Sequence, residues 1–313
     1  MLIIGEIRTS LLRNSNRLNR PAVAELLGFK PGKRVLASDR PVNRSVSADV
    51  MVGVDCRLAT LPPARARGIG TVASHAVVTG GLVLQSSARA RLERAAVSHR
   101  LAWSHYAGRH GVVEVISKAE MVQVARGHRT AEPDGATLDL GAISEHLMVL
   151  VQQRSQLDYQ TVVRARPTRV RWSAIECDQA RPSVWLHVDS DVLRTVELTV
   201  PADLLGMAER FCEDIALHDW LITTLGGVID QVDQEMATGA DPIKTLAPAV
   251  ERLVHLWMPG AHVDLPMRCL WDALEERPGF SLQWNAQVAR IRDLIALRTL
   301  EALEHTRHRD ITW

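Results

Sequence analysis

The chain has 313 residues, 46% of them hydrophobic and 23% charged, which is enough to bury a sizeable core and excludes intrinsic disorder and collagen-like repeats. Its net charge of +1 is unevenly placed: residues 1–110 carry 17 basic and 6 acidic side chains, 111–200 carry 10 and 12, and 201–313 carry 10 and 18. Glu6, Arg8, Arg13, Arg17 and Arg20 interrupt the start of the chain, leaving no apolar core for a signal peptide, and no later stretch reaches the ~18 uncharged apolar residues of a membrane span.

A cytoplasmic protein without a membrane segment is expected. Cys56, Cys177, Cys212 and Cys269 are far apart and form no CxxC pair, which argues against a disulfide scaffold or zinc ribbon. The basic first third either attracts phosphate or an acidic protein surface, or docks on the acidic last third of its own chain.

Leu2–Gly5 opens the chain as a short apolar strand. Pro21–Gly28 reads as a helix, with proline in its first turn and glycine past its end. A strand is expected over Val50–Leu58, then a loop through Pro62-Pro63. Ile69–Val78 and Leu82–Leu92 flank Thr79-Gly80-Gly81 as a hairpin, because Gly-Gly supplies the positive φ of a tight turn. In its second arm Ala88, Ala90 and Leu92 alternate with Arg89, Arg91 and Glu93, the pattern of a half-buried strand.

Residues 112–116 form another expected strand. Ser117-Lys-Ala-Glu120 reads as a capping box for a helix that stops at Gly127. Ile143 to about Leu157 suits a helix. Residues 168–200 read as a three-stranded antiparallel meander, with Val188 facing Val192, Leu186 facing Arg194 and Val184 facing Val196. Beyond Pro201 the pattern is helical: Asp203–Leu225, kinked or ended at Gly226-Gly227, a short helix over Val228–Met236, then helices at 242–258, 266–276 and 281–306. The fold class is α+β: an antiparallel β-rich N-terminal and middle part, with hairpin 69–92 and meander 168–200, and a helical C-terminal part. Two domains are expected, a β-rich α+β domain over 1–200 and a helical domain over 201–313 packed against it.

Gly68-Ile-Gly70-Thr-Val-Ala73 matches the GxGxxA nucleotide fingerprint, but no apolar strand precedes it and no helix follows, so dinucleotide binding is rejected. No P-loop, HExxH, GxSxG or deaminase signature occurs, which leans against an enzyme, and no cofactor is expected. On a helix Asp214 and His218 share a face, the spacing of a carboxylate–imidazole pair or of two metal ligands, with Glu213 beside them. Two ligands do not make a site, and an internal hydrogen bond near a helix interface is the favoured reading of the pair. Arg171, Trp185 and His187 fall on one face of the meander, where they suit an anionic or aromatic ligand. Arg57, Arg65, Arg67, Arg89, Arg91 and Arg94 are the basic residues available to an anion, a partner or nucleic acid, although sparse aromatic residues argue against single-strand stacking. Trp103-Ser-His-Tyr106 clusters three rings, as a contact surface or as core.

Gly5–Leu12, Gly53–Leu58, Arg67–Val72, Ala76–Gly81 and the helix Phe211–Leu225 together resemble an uncharacterised family of conserved actinobacterial proteins known only by a locus-derived name. The arginine excess, 33 against four lysines, fits that resemblance. It implies a gene neighbourhood with a variant P-loop protein and a methyltransferase-like protein, hence an assembly partner more than a reaction, and it transfers no catalytic residue.

The leading expectation is a non-catalytic adaptor or assembly subunit that binds a protein partner, or a second copy of itself, through charge-polarised surfaces. The alternatives are a metal- or small-ligand-dependent enzyme using Asp214 and His218, and nucleic-acid binding through the basic first third.

Overall fold

A computed structural model describes residues 1–161, 163–177, 181–237 and 242–310. In chain order the elements are β1 (Leu2–Leu11), α1 (Arg20–Leu26), β2 (Leu36–Ser38), β3 (Arg44–Val46), β4 (Val50–Arg57), β5 (Ala66–Thr79), β6 (Val83–Arg94), α2 (Trp103–Ala107), β7 (Val112–Ser117), α3 (Met121–Thr130) and α4 (Leu140–Gln152). They continue with β8 (Thr168–Glu176), β9 (Ser183–Val188), β10 (Leu193–Val200), α5 (Ala208–Ala237), α6 (Pro242–Leu253), α7 (Arg268–Glu276) and α8 (Phe280–Asp310). The fold is α+β, as the patterning predicts. No helix among the described residues is long and apolar enough to cross a membrane.

All ten strands join one sheet, ordered β2-β3-β5-β7-β6-β1-β8-β10-β9, with β4 beside β5. Most pairs are antiparallel; β6–β7 and β8–β10 are parallel. Long β5 organises one half of the sheet, pairing with β4 and β7 at its start and with β3 and β6 at its end. The expected hairpin is β5–β6. Gly80 and Gly81 take φ of 61° and 67°, and Leu82 N–H closes the turn on the Thr79 carbonyl.

Strand alternation sends side chains to two covered faces. Ile7, Val83, Val170, Trp172 and Val196 meet Phe211, Ile215 and Trp220 of α5 in the largest apolar cluster, which extends through α6, α7 and α8. On the other face Leu2, Ile4, Ala88 and Val113 pack under Val124 of α3, while Ala76 and Leu84 pack with Leu26 of α1 and Val151 of α4. Strands and C-terminal helices therefore share one continuous core. Gly5 leaves room for the Trp172 indole, which lies 2.4 Å from where a Cβ would stand.

Several sequence expectations change. The meander does not form: β10 lies between β8 and β9 and runs parallel to β8. Buried Val196, Leu198 and Val200 make β10 the more apolar strand, so it takes the interior place and polar-faced β9 the edge. The connecting residues 178–180 lie outside the described residues. The β9–β10 register pairs Val188 with Arg194, Leu186 with Val196 and Val184 with Leu198, two residues from expectation, so each side chain keeps its predicted face. Helix α3 is capped by Glu120 with Gln123 and runs past Gly127; that glycine lets the Thr60 backbone approach, 2.4 Å from its Cβ position. Helix α4 begins and ends earlier than predicted, with Asp139 as its cap. Helix α5 continues through Gly226-Gly227, because buried Leu225, Val228 and Ile229 outweigh the ~1 kcal/mol each glycine costs a helix.

Candidate functional site

The densest group of titratable side chains lies between the sheet and the start of α5. Alternation along β5 and β6 brings His75, Gln85, Ser87 and Arg89 to the face that α5 covers. Glu209 and Glu213, four apart on α5, project toward them. His75 Nε2 is 2.6 Å from Glu213 Oε1, and its Nδ1 is 3.3 Å from Asp49 and 3.7 Å from Glu209 Oε1. The second oxygen of each glutamate is held by an arginine: Arg44 binds Glu213 Oε2 and Arg89 binds Glu209 Oε2. Ser87 Oγ donates to Glu209 at 2.8 Å, and Gln85 donates to the Glu213 carbonyl at 2.8 Å.

Burial disfavours a charged His75, but Glu209, Glu213 and the Asp49 hydrogen bond prevail and hold its pKa well above the usual 6.5. Burial likewise raises Glu209, with Glu213 adding to the effect, whereas His75 and Arg44 hold Glu213 below the usual carboxylate range. Three carboxylates thus face two guanidiniums and one imidazolium, a group neutral in sum. His75, Glu209 and Glu213 place their ligand atoms within 4.8 Å of one another, a spacing compatible with a divalent cation. Such an ion would have to displace the imidazolium proton beside two fixed arginines, which opposes it. What the arrangement does chemically is clamp the basic early chain to the acidic α5, and part of the charge polarity is neutralised in this way.

Asp214 and His218 lie one turn further into the helix layer. His218 Nδ1 donates to the Asp214 carbonyl at 2.7 Å, its Nε2 accepts from Met258 N–H at 3.2 Å, and its ring packs edge-on against Trp257 and Trp271. Asp214 Oδ2 accepts from Gly260 N–H at 2.8 Å, and burial raises its pKa. Both are sealed, tying the 258–260 loop to α5. Cys212, buried near them, has a thiol pKa raised by burial, which disfavours the thiolate.

The Arg171, Trp185 and His187 surface does not assemble. Arg171 and His187 flank Thr195 in one row, but Arg171 is buried, bonded to Glu6 and to carbonyls of Arg129 and Ala131 at the end of α3. Trp185 and His187 remain exposed. The six arginines also do not converge: Arg57 pairs with Asp134, Arg67 with Asp55, Arg89 with Glu209 and Asp49, and Arg91 with Glu93, while Arg94 donates to the Ser117 carbonyl and Arg65 is exposed. Gly68 and Gly70 of the GxGxxA stretch lie within β5, where a Cβ on Gly70 would stand 2.0 Å from the Val112 carbonyl oxygen. Tyr106 is core, whereas Trp103 is partly exposed over Gly53.

A groove of about 1600 Å³ is lined by residues from the end of β1, α4, Thr161 and residues 163–167, the end of β9 and the turn after it, and the middle of α5. Arg13 and Arg166 are exposed at its wall and have no carboxylate partner among the described residues. Two buried polar atoms of its lining residues, Thr224 Oγ1 and Gln287 Oε1, have no hydrogen-bond partner among the described residues. None of His75, Asp214 and His218 lines it. Compared with known proteins, the chain matches no protein-family model, no curated protein and no solved structure.

Sequence reading named Glu213 but missed His75, Glu209, Asp49 and Arg44. A usable signal was present: His75 interrupts Thr71-Val-Ala-Ser-His-Ala-Val-Val78, and a titratable side chain in an apolar strand requires a buried partner. Nothing in the local sequence marks the groove, whose walls come from distant segments.

Proposed function

We propose that this chain is a non-catalytic binding subunit that holds an extended, acidic segment of a protein partner in the groove. The observation that carries the reading is that exposed Arg13 and Arg166, with no carboxylate partner among the described residues, stand together on the wall of one concavity. Its volume exceeds the ~300–1,000 Å³ usual for small-molecule pockets. Glutamines 152, 153, 231, 234 and 287 line it, and amide side chains offer donors and acceptors suited to peptide backbone. Among the described residues no aromatic side chain lines it, which disfavours stacked bases. His75, Glu209, Glu213 and His218, in contrast, each bond partners within the chain.

The implied variant P-loop protein is the first partner to test, by co-expression and size-exclusion chromatography with light scattering. Support is a stoichiometric complex that Arg13→Glu with Arg166→Glu abolishes and added salt weakens. A complex indifferent to both changes would sink the groove reading, as would turnover lost on replacing His218 in a folded chain.

A further inference from the structure

Among the described residues the sheet ends at β9, which pairs with β10 along one side only. Sheet edges are commonly blunted by lysine, by internal proline or by bulges. Ser183-Val-Trp-Leu-His-Val188 has none of these, and Trp185 and Val188 are 63% and 66% exposed. Asp189 N–H bonds the Leu193 carbonyl of the β10 side. By alternation the backbone groups of Val184, Leu186 and Val188 therefore point away from β10, to the open edge.

We propose that β9 is a self-association edge, pairing antiparallel with β9 of a second copy about a two-fold axis through Trp185. In this register Trp185 lies opposite Trp185 of the second copy, Ser183 opposite His187 and Arg181 opposite Asp189. Val184 and Leu186 exchange backbone bonds with Leu186 and Val184 of the second copy, and Val188 N–H reaches the Pro182 carbonyl. Arg181 and Asp189 are both exposed, so the symmetry turns the unlike ends of one uncharged strand into two opposite-charge contacts. A register centred on Val184 sets Arg181 against His187, and one centred on Leu186 sets Trp185 against His187. Only the Trp185 centre unites the aromatic pair with the Arg181–Asp189 contact.

This pairing adjoins the groove, which Val188 also lines, but the two fail separately: a monomer leaves capture of an acidic segment by Arg13 and Arg166 untouched, and the Arg181 and Asp189 reversals change no residue of the groove. The test is sedimentation velocity on the full chain up to sub-millimolar concentration. A reversible monomer–dimer equilibrium is expected. Arg181→Asp and Asp189→Arg each raise the dimer dissociation constant about tenfold, because like charges then meet twice. The double reversal restores it. Val188→Pro also weakens the dimer, by removing an outward N–H that the monomer leaves to water, and unchanged circular dichroism confirms that the variants fold. A strictly monomeric chain, a dimer unaffected by the single reversals, or singles that the double reversal does not rescue would each overturn the proposal.

Discussion

His75 of β5 and Glu213 of α5 stand 2.6 Å apart, Nε2 to Oε1, although 138 residues separate them in the chain. With Arg44, Arg89, Asp49 and Glu209 they fasten the helix layer to the sheet, and they do so with charges removed from water. A buried network of this kind is most sensitive to losing one member, because the others are then left uncompensated.

His75→Gln is expected to destabilise the chain by about 3 kcal/mol near neutral pH, the range for breaking a buried ion pair from one side. The folded pKa of His75 is raised above 6.5, so its stabilisation is fully present below 6.5 and is lost as pH rises through the folded value. Urea midpoints of wild type and variant should differ most under mildly acidic conditions and converge in alkali. A gap that widens in alkali would contradict the protonated imidazole.

His128 behaves in the opposite sense. It stands in the last turn of α3, half-buried against the Gly5 carbonyl, and desolvation depresses its pKa from 6.5 to about 4. The unfolded chain therefore takes up a proton between these values that the folded chain refuses, and stability falls as pH drops from 6.5 toward 4. The loss is on the order of 3 kcal/mol. His128→Gln keeps a donor for Gly5 and should flatten the acid limb of a stability-versus-pH curve measured by denaturant titration.

Asp214 carries a raised pKa because burial disfavours its charge. Stability associated with the neutral acid is present below the unfolded value of 3.8 and is lost as pH rises through the folded one. Asp214→Asn retains the acceptor for Gly260 N–H and carries no charge. It is expected to raise the thermal midpoint at pH 7, by the equivalent of about 1 kcal/mol, and to leave it unchanged in strong acid. A large loss at pH 7 would mean that the carboxylate has a role beyond holding the loop.

Gly70→Ala probes the reading of Gly68-x-Gly70 as packing. Its Cβ would stand 2.0 Å from the Val112 oxygen and 2.7 Å from Val113 Cα, both backbone atoms that cannot step aside. A destabilisation of about 3 kcal/mol or more is expected in thermal unfolding. Gly135→Ala, at a loop glycine with nothing within 4 Å of its Cβ position, costs less, through its positive φ of 79° alone.

The elements written in local patterns were legible before the structure. Ala88, Ala90 and Leu92 alternate with charged neighbours and are buried as alternation requires. Pro21 stands in the first turn of α1, and Gly80-Gly81 turns β5 into β6. What misled was punctuation read without its surroundings. Gly127 and Gly226-Gly227 look like helix ends, yet all three sit within helices whose packing overrides their propensity.

Alternation, turns and inward faces are written in the residues, because they follow from the two-residue and 3.6-residue periods of the backbone. So is the uneven charge. Packing in three dimensions set β10 between β8 and β9, enclosed a groove between one end of β1, residues 163–167 and α5, and brought His75 to Glu213. Each of these joins segments far apart in the chain, and their proximity depends on how the sheet closes its edges and where α5 lies across it, which no short window of residues encodes.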